Sequence, residues 1–524
     1  MIINNKEFKI FDCTLRDGGY YTNWDFPVAM VEKYLKAMNQ LPVECVELGY
    51  RSLDNSAYHG EYNYLPKSVL EKCKEWCPDK KRAVMINLKE VDEQRIHSLI
   101  KNLSSYVHLI RFATRPEDVE KAVRVAKIAK SYGLKVALNI MYMSTWVEDP
   151  KFAIHLQGAE DAVDYLVMVD SYGSVFPQQI QPCLEQLRKY FKGKIGFHGH
   201  NNLELAFANT LAAIDAGVET VDATMKGMGR GAGNLKMELL MTYCAKYDDS
   251  IALNVLMETL EDFEQLHKEY NWGTNLPYIV SGCNSLPQKD IMEWITKKRY
   301  SASSIVQRLQ THIKPKAAPE IVYPLLPPAN EPHAVTYLIG GGQTIPTHID
   351  AILELIRNQS EKVRLIFSSA KHLSLFDSVP ADVERYIYLV GIEGRRIEKQ
   401  IRSVRATDYF VIMKQRMPMD MYVPASIASQ LYALPERNIS AEEDEYRDSP
   451  LFVSLEIAQY FNTPPIYLLG YDGYEPDAQN DAYNLMEENQ RIIDTFSGKN
   501  SLCSLLPTRY QHIKEQSLYS LLAL

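Results

Sequence analysis

Three residues far apart in the chain have the types that hold a hard divalent cation: Asp17, His198 and His200. His198 and His200 are two apart, so on a β-strand both imidazoles face the same way. Two ring nitrogens and one carboxylate leave positions open for substrate and water, as metal-assisted catalysis requires. Arg16 adjoins Asp17, and a fixed guanidinium beside a cation suits negative charge developing on an oxygen. An ion pair with Glu47 or another acid is the structural alternative for Arg16, and both can hold. The run Gly227-Met228-Gly229-Arg230-Gly231-Ala232-Gly233-Asn234 lets the backbone fold close over such a site with Asn234 presented inward. A flexible loop is the alternative there.

These residues need a scaffold that brings them together. Short apolar runs rich in Val, Ile and Phe alternate with amphipathic stretches from Glu7 to about Lys246. The strand candidates are Phe8–Cys13, Cys45–Tyr50, Ala83–Asn87, Val107–Phe112, Lys135–Met141, Tyr165–Asp170, Lys194–His200 and Thr220–Thr224. They are mostly continuous rather than alternating, the pattern of parallel strands buried on both faces. Helices are expected at Pro116–Tyr132, Pro177–Phe191 and Leu203–Ala216, with Pro116 and Pro177 in first turns and Gly133 and Gly217 at ends. Eight strand–helix units imply a closed (β/α)8 TIM barrel, with a doubly wound open sheet as the alternative. Barrel chemistry sits at the C-terminal ends of strands, which here carry Asp17, Glu47, Arg111, Asn139, Ser171, His198 and His200.

The chain of 524 residues exceeds one ordinary domain. Residues 1–310 read as the barrel with C-terminal helices. Residues 311–333 read as a linker, because Lys314 to Pro332 holds six prolines. Residues 334–524 read as a second, Rossmann-like α/β domain, with strands at Thr336–Ile339, Val363–Phe367, Tyr386–Val390, Tyr409–Ile412 and Pro465–Leu469. The turn Gly340-Gly341-Gly342 after the first of these could hold a phosphate or nucleotide on backbone amides, or be a plain tight turn. Asp472 could meet a phosphate-bound metal or cap a turn, and Asp448 or Ser449 could cap the helix that follows.

Net charge is -9, with no long basic run, so nucleic acid is not an expected partner. Short stretches such as Lys297-Lys298-Arg299 read as solvated faces. No apolar stretch approaches the ~20 residues of a membrane helix. The eight scattered cysteines read as reduced thiols of a cytoplasmic protein.

Phe11–Gly19, the His-Gly-His-Asn-Asn stretch at 198–202 and the glycine run at 227–234 resemble a superfamily of metal-dependent TIM barrels. It is the pyruvate-aldolase and acyl-lyase/synthase (HMGL-like) superfamily, and the 4-hydroxy-2-oxovalerate aldolase branch is most similar. The resemblance covers about residues 7–300. It implies a carbon–carbon lyase, an aldolase joining a pyruvate-like 2-oxo acid to an aldehyde through an enolate. It implies Mn2+ or Mg2+ on Asp17, His198 and His200, with Asn234 a further ligand, and Arg16 stabilising the enolate. Ser171 is expected at the substrate carboxylate, with Arg111 and Asn139 as further substrate contacts. A homodimer is implied by resemblance alone.

The chain also departs from that pattern. The aldolase branch has a catalytic histidine three residues after the metal aspartate, and Tyr20 stands there. An ordinary tyrosine, with a pKa near 10, is a poor base at neutral pH. Tyr20 or Tyr21 then works with a lowered pKa, or a water or another residue takes the proton. Residues 227–234 lack the cysteine of the lyase branch, and Gly19 replaces the acid or glutamine of the synthase branch. Both departures weigh against the alternative of a Claisen-type acyl-CoA enzyme. The remaining alternative is a non-catalytic barrel serving as scaffold for the C-terminal domain.

Overall fold

The computed structural model describes residues 1–3, 5–54, 58–296, 300–313, 323–328, 334–413, 422–435, 437, 440, 443, 446–461, 465–474, 480–497 and 502–523. Residues 314–322 and 329–333 of the proline-rich stretch lie outside these, as does Lys297-Lys298-Arg299. The chain divides into two compact units, Met1–Met292 and Glu293–Leu524.

The first unit is a closed barrel of eight parallel strands. They are β1 Lys9–Asp12, β2 Val43–Tyr50, β3 Lys81–Asn87, β4 Leu109–Thr114, β5 Lys135–Ile140, β6 Tyr165–Asp170, β7 Lys194–Gly199 and β8 Thr220–Ala223. Neighbours in sequence are neighbours in space, and β8 closes on β1 with Ala223 opposite Asp12. Every strand is covered outside by helices and plugged inside, which is why the runs are apolar without alternation. The interior plug is a layer of Phe11, Cys45, Ala83, Leu109, Ala137 and Tyr165.

The expected helices form, with shifts of a few residues. Pro116 opens a single 3-10 turn ahead of Val119–Ser131, and Pro177 opens Pro177–Tyr190. The third helix begins at Ala206, three residues later than expected, and ends at Gly217 in the left-handed conformation. Asp17 lies on a helix, Thr14–Thr22 (α1), that starts two residues after β1 ends. The strand-end segment thus delivers Arg16 and Asp17 from a first helical turn. Among the described residues no helix is long and apolar enough to cross a membrane.

The second unit holds an eight-stranded, all-parallel sheet. Its strands are β9 Val335–Ile339, β10 Val363–Phe367, β11 Glu384–Tyr388, β12 Tyr409–Met413, β13 Leu431–Leu434, β14 Ile466–Leu469, β15 Leu502–Ser504 and β16 Lys514–Glu515. Their order is β13-β12-β11-β10-β9-β14-β15-β16. Tyr337 and Ile339 enter one core and Leu338 the other, so both faces are covered. Strands β13, β15 and β16, two to four residues long, were not among the strands expected from the sequence.

Strand order reverses between β9 and β14, the place where open α/β sheets form a crevice. There the turn after β9 meets the turn after β14. The Gly342 amide donates to Gly470 O at 2.9 Å, and the Thr344 amide donates to Asp472 Oδ2 at 3.0 Å. Asp472 therefore caps this turn. Ser449 sits at the N-cap of Pro450–Tyr460 without a side-chain cap bond, and Asp448 accepts from the Tyr300 hydroxyl at 2.8 Å.

Candidate metal and substrate site

Stepping two residues along a strand keeps the same face and moves toward the barrel mouth. From the apolar plug this takes Cys45 to Glu47, Leu109 to Arg111 and Ala137 to Asn139. A buried charged layer results. Arg111 is 0% exposed and donates to Glu47 Oε2 at 3.2 Å, to Asn139 Oδ1 at 3.2 Å, and to Asp222. Arg16 Nε donates to the same Glu47 oxygen at 3.0 Å, and its Nη1 pairs with Asp17. The ion pair to Glu47 and the placement beside Asp17 therefore coexist.

The two histidines are oriented by what their Nδ1 atoms touch. His198 Nδ1 lies 2.9 Å from Asp222 Oδ2, and His200 Nδ1 lies 2.8 Å from the Asp170 carbonyl. Both oxygens only accept, so both Nδ1 atoms carry a proton and Nε2 is the nitrogen of each ring turned away from these partners. This is the arrangement that fixes metal-binding histidines elsewhere. His198 Nε2 is 3.6 Å from Asp17 Oδ2, and the two imidazole rings are 4.9 Å apart. Burial, then the neighbouring His198, lower His200 to about 3, so its ring is neutral at pH 7. Burial pushes Asp17 up, but Arg16, the two histidines and a hydrogen bond from Asn234 outweigh it and hold the carboxyl below its usual range. Burial likewise opposes ionisation of Asp222, and Arg111 and His198 bring it down to about 2.

The glycine run supplies Asn234. Its backbone bridges to His200, with Asn201 N donating to Gly233 O at 2.8 Å and Leu235 N to Gly199 O at 3.2 Å. Asn234 Nδ2 then donates to Asp17 Oδ2 at 2.7 Å, while Oδ1 is buried without a partner. A Cβ at Gly229 would strike the Asn234 carboxamide. Gly231 has φ +63°, and a Cβ there would strike Gln288. These two glycines are therefore required by the close approach.

The donor set fits a divalent cation. Arg16 and Arg111 face Asp17, Glu47 and Asp222, leaving one buried negative charge in excess. Uncompensated buried charge is costly. Asn234 Oδ1 is buried without a partner, and the His200 ring lies 4.9 Å from that of His198, although His200 is not part of the tightest donor group. Cys13 was missed by the sequence reading. Its Sγ lies 3.7 Å from Asp17 and 3.9 Å from His198, and these three form a group able to hold a metal ion. Burial, then Asp17 and Asp222, push the Cys13 thiol well up.

A cavity of about 640 Å³ opens above the charged layer. Arg16, Asp17, Tyr20, Asn139, Ser171, His198 and His200 all line it. Arg111 is not in the lining and braces the floor. Tyr20 shares a 2.9 Å hydrogen bond with the Tyr50 hydroxyl, which packing and Tyr20 push well above its ordinary pKa. Tyr21 turns away, donating to Gly231 O at 3.1 Å and packing on Tyr270 and Trp272. Ser171 Oγ accepts from the Tyr142 amide at 2.8 Å. A second depression, about 460 Å³, lies outside the barrel between Pro177–Tyr190 and Ala206–Ala216 and gathers no comparable polar cluster.

Asp222 carries no conspicuous motif, although its inward register on β8 could have flagged it. Asp222→Asn is expected to weaken divalent-metal affinity about 10–100-fold by releasing His198. Calorimetric metal titration checks this, and unchanged affinity would dismiss Asp222 as a positioning residue. The same change unbalances Arg111, so the thermal midpoint is expected to fall as well.

The sequence pattern of the HMGL-like family matches residues 7–266. A 4-hydroxy-2-oxovalerate aldolase of Carboxydothermus hydrogenoformans is 28% identical over 262 residues, 49% of this chain and 77% of that protein. An oxaloacetate decarboxylase of Mycobacterium tuberculosis is 26% identical over 242 residues, 46% of this chain and 71% of that protein. Among solved structures, the N-terminal domain of a candidate aldolase from Bacteroides vulgatus is 44% identical. It aligns with a TM-score of 0.54, covering 57% of this chain and 100% of that one.

Proposed function

Because residues 7–266 belong to the HMGL-like family, whose relatives above are carbon–carbon lyases by name, we propose that the barrel is a divalent-metal-dependent aldolase acting on a 2-oxo acid. The observation that supports this reading is the sharing of one cavity by Arg16, Asp17, His198, His200 and Ser171. Asp17, His198 and His200, with Asn234 Oδ1, would hold Mn2+ or Mg2+. A cation there would act as a Lewis acid on the 2-oxo acid carbonyl.

The chain's own groups do the rest. Arg16, held by Glu47 and Asp17, presents fixed positive charge to an oxygen that becomes anionic in the enolate. Ser171 and Asn139 line the cavity where the substrate carboxylate would sit. In condensation, C3 of the 2-oxo acid loses a proton and bonds the aldehyde carbon, and the aldehyde oxygen takes up a proton. Cleavage reverses each step. Tyr20 is the cavity hydroxyl one helical turn from Asp17, and its bond to Tyr50 makes a proton-sharing pair.

Incubation with Mn2+ and pyruvate in D2O should exchange the methyl protons, and an added aldehyde should yield a 4-hydroxy-2-oxo acid by mass spectrometry. No exchange, or product only with an acyl-CoA, would sink the aldolase reading. Tyr20→Phe is expected to slow carbon–carbon bond formation about 10²-fold without loss of bound metal. Full activity would exclude Tyr20 as the proton carrier.

One observation favours a second reading. The Tyr20–Tyr50 pair takes the place of a histidine, and Tyr50 holds its proton firmly. Loss of CO2 from a 2-oxo diacid needs the same enolate stabilisation, but no base to open a hydroxyl. Oxaloacetate consumption without aldehyde-dependent product would select it.

A further inference from the structure

Arg230 is the exception among the arginines of the barrel mouth. Arg16 and Arg111 are each matched to carboxylates. Arg230 lines the same cavity, yet its guanidinium makes no hydrogen bond or ion pair among the described residues, and its Nε is buried without a partner. Buried donors are normally satisfied, so an orphan on a cavity wall marks a place where something else supplies the acceptor. The side chain is not simply loose. Its guanidinium stacks over the Tyr20 ring at 4.6 Å. The backbone is anchored on both sides: Arg230 O accepts from Gly233 N at 3.1 Å, and Gly231 O accepts from the Tyr21 hydroxyl at 3.1 Å.

The position is informative too. Tyr20 is three residues after Asp17 on α1, so Arg230 covers the helix surface about one turn from the candidate metal cluster. Lys89 and Lys289 also line this cavity, and among the described residues neither ammonium has a carboxylate partner. Against these three cations stands Asp54, the one carboxylate besides Asp17 among the described residues of the lining. The cavity thus has two cationic places: Arg16 at the reacting end, engaged with carboxylates, and Arg230 with the two lysines, which have no carboxylate partner among the described residues.

We propose that Arg230 binds an anionic group on the acceptor aldehyde, a carboxylate or a phosphate, and so selects acceptors that carry charge away from the reacting carbonyl. This rests on the aldolase reading. A guanidinium pairs with either anion through two parallel N–H donors, and stacking on Tyr20 holds its plane.

The test compares acceptors offered with pyruvate and Mn2+: neutral propanal, carboxylated succinic semialdehyde and phosphorylated glyceraldehyde 3-phosphate. The native protein should favour at least one anionic acceptor in kcat/KM, and which one distinguishes carboxylate from phosphate. Arg230→Gln should lower the ratio of anionic to neutral kcat/KM on the order of 10²-fold. This ratio does not depend on how much of the variant is folded. Equal use of neutral and anionic acceptors by the native protein, or an intact ratio in the variant, would overturn the proposal. Calorimetric titration with succinate and with inorganic phosphate gives a readout that needs no turnover. Binding that disappears in Arg230→Gln supports the anion site, and no binding of either probe to the native protein counts against it. If the native protein fails to exchange pyruvate methyl protons, the aldolase reading itself has failed, and the calorimetry still decides whether Arg230 holds an anion.

Discussion

Asp17→Ala is expected to purify without its divalent cation and to lose pyruvate proton exchange by about 10³-fold or more. The size follows from what converges on this carboxylate. Oδ2 accepts from Asn234 at 2.7 Å and faces His198 Nε2 at 3.6 Å, while Oδ1 pairs with Arg16. Removing the carboxylate would take away the one anionic oxygen of the proposed ligand set and leave two imidazoles and an amide. It also leaves Arg16 paired with Glu47 and Arg111 with Asp222, a balanced set, so the expected loss is of metal and exchange more than of folding. Elemental analysis of the folded variant checks the first effect and NMR exchange the second. His198→Ala should behave alike. Metal content equal to that of the native protein in both variants would remove the metal site from the account.

Arg16→Gln is expected to separate metal binding from catalysis. The guanidinium does not belong to the donor set, so the cation should stay bound. Proton exchange should still fall about 10²–10³-fold, the usual loss on removing one fixed donor from a developing oxyanion. Arg16→Lys should recover only part of this. A lysine keeps the charge but cannot span Glu47 and Asp17 with a rigid fork. Native exchange rates in Arg16→Gln would reduce Arg16 to a structural ion pair. Loss of metal in that variant would show instead that Arg16 shapes the cluster through Asp17.

The barrel was legible because parallel strands covered on both faces must be continuously apolar, and eight such runs leave few other closures. The nearness of Asp17 to His198, and of His198 to His200, was legible because two positions on a strand share a face and strand ends meet at the barrel mouth. The helix at Thr14–Thr22 was harder to read, since Gly18 and Gly19 depress its propensity and hide that Asp17, Tyr20 and Tyr21 are on helical spacing. That spacing also separates Tyr20 from Tyr21. Consecutive helix positions diverge by about 100°, which turns one hydroxyl to the cavity and the other into the glycine loop.

From the sequence alone come the fold class, the two-part α/β organisation, and a histidine pair and aspartate of metal-binding type. These depend on local pattern, periods of two and 3.6, and on residue chemistry. Only the tertiary structure decided the partners. Arg111 meets Asp222 across 111 residues, His198 meets that same Asp222 across 24, and Asn234 reaches Asp17 across 217. Register tells which way a side chain points, but not which strand stands opposite. That is set when the barrel closes, and closure is also what buries Arg111 in the floor.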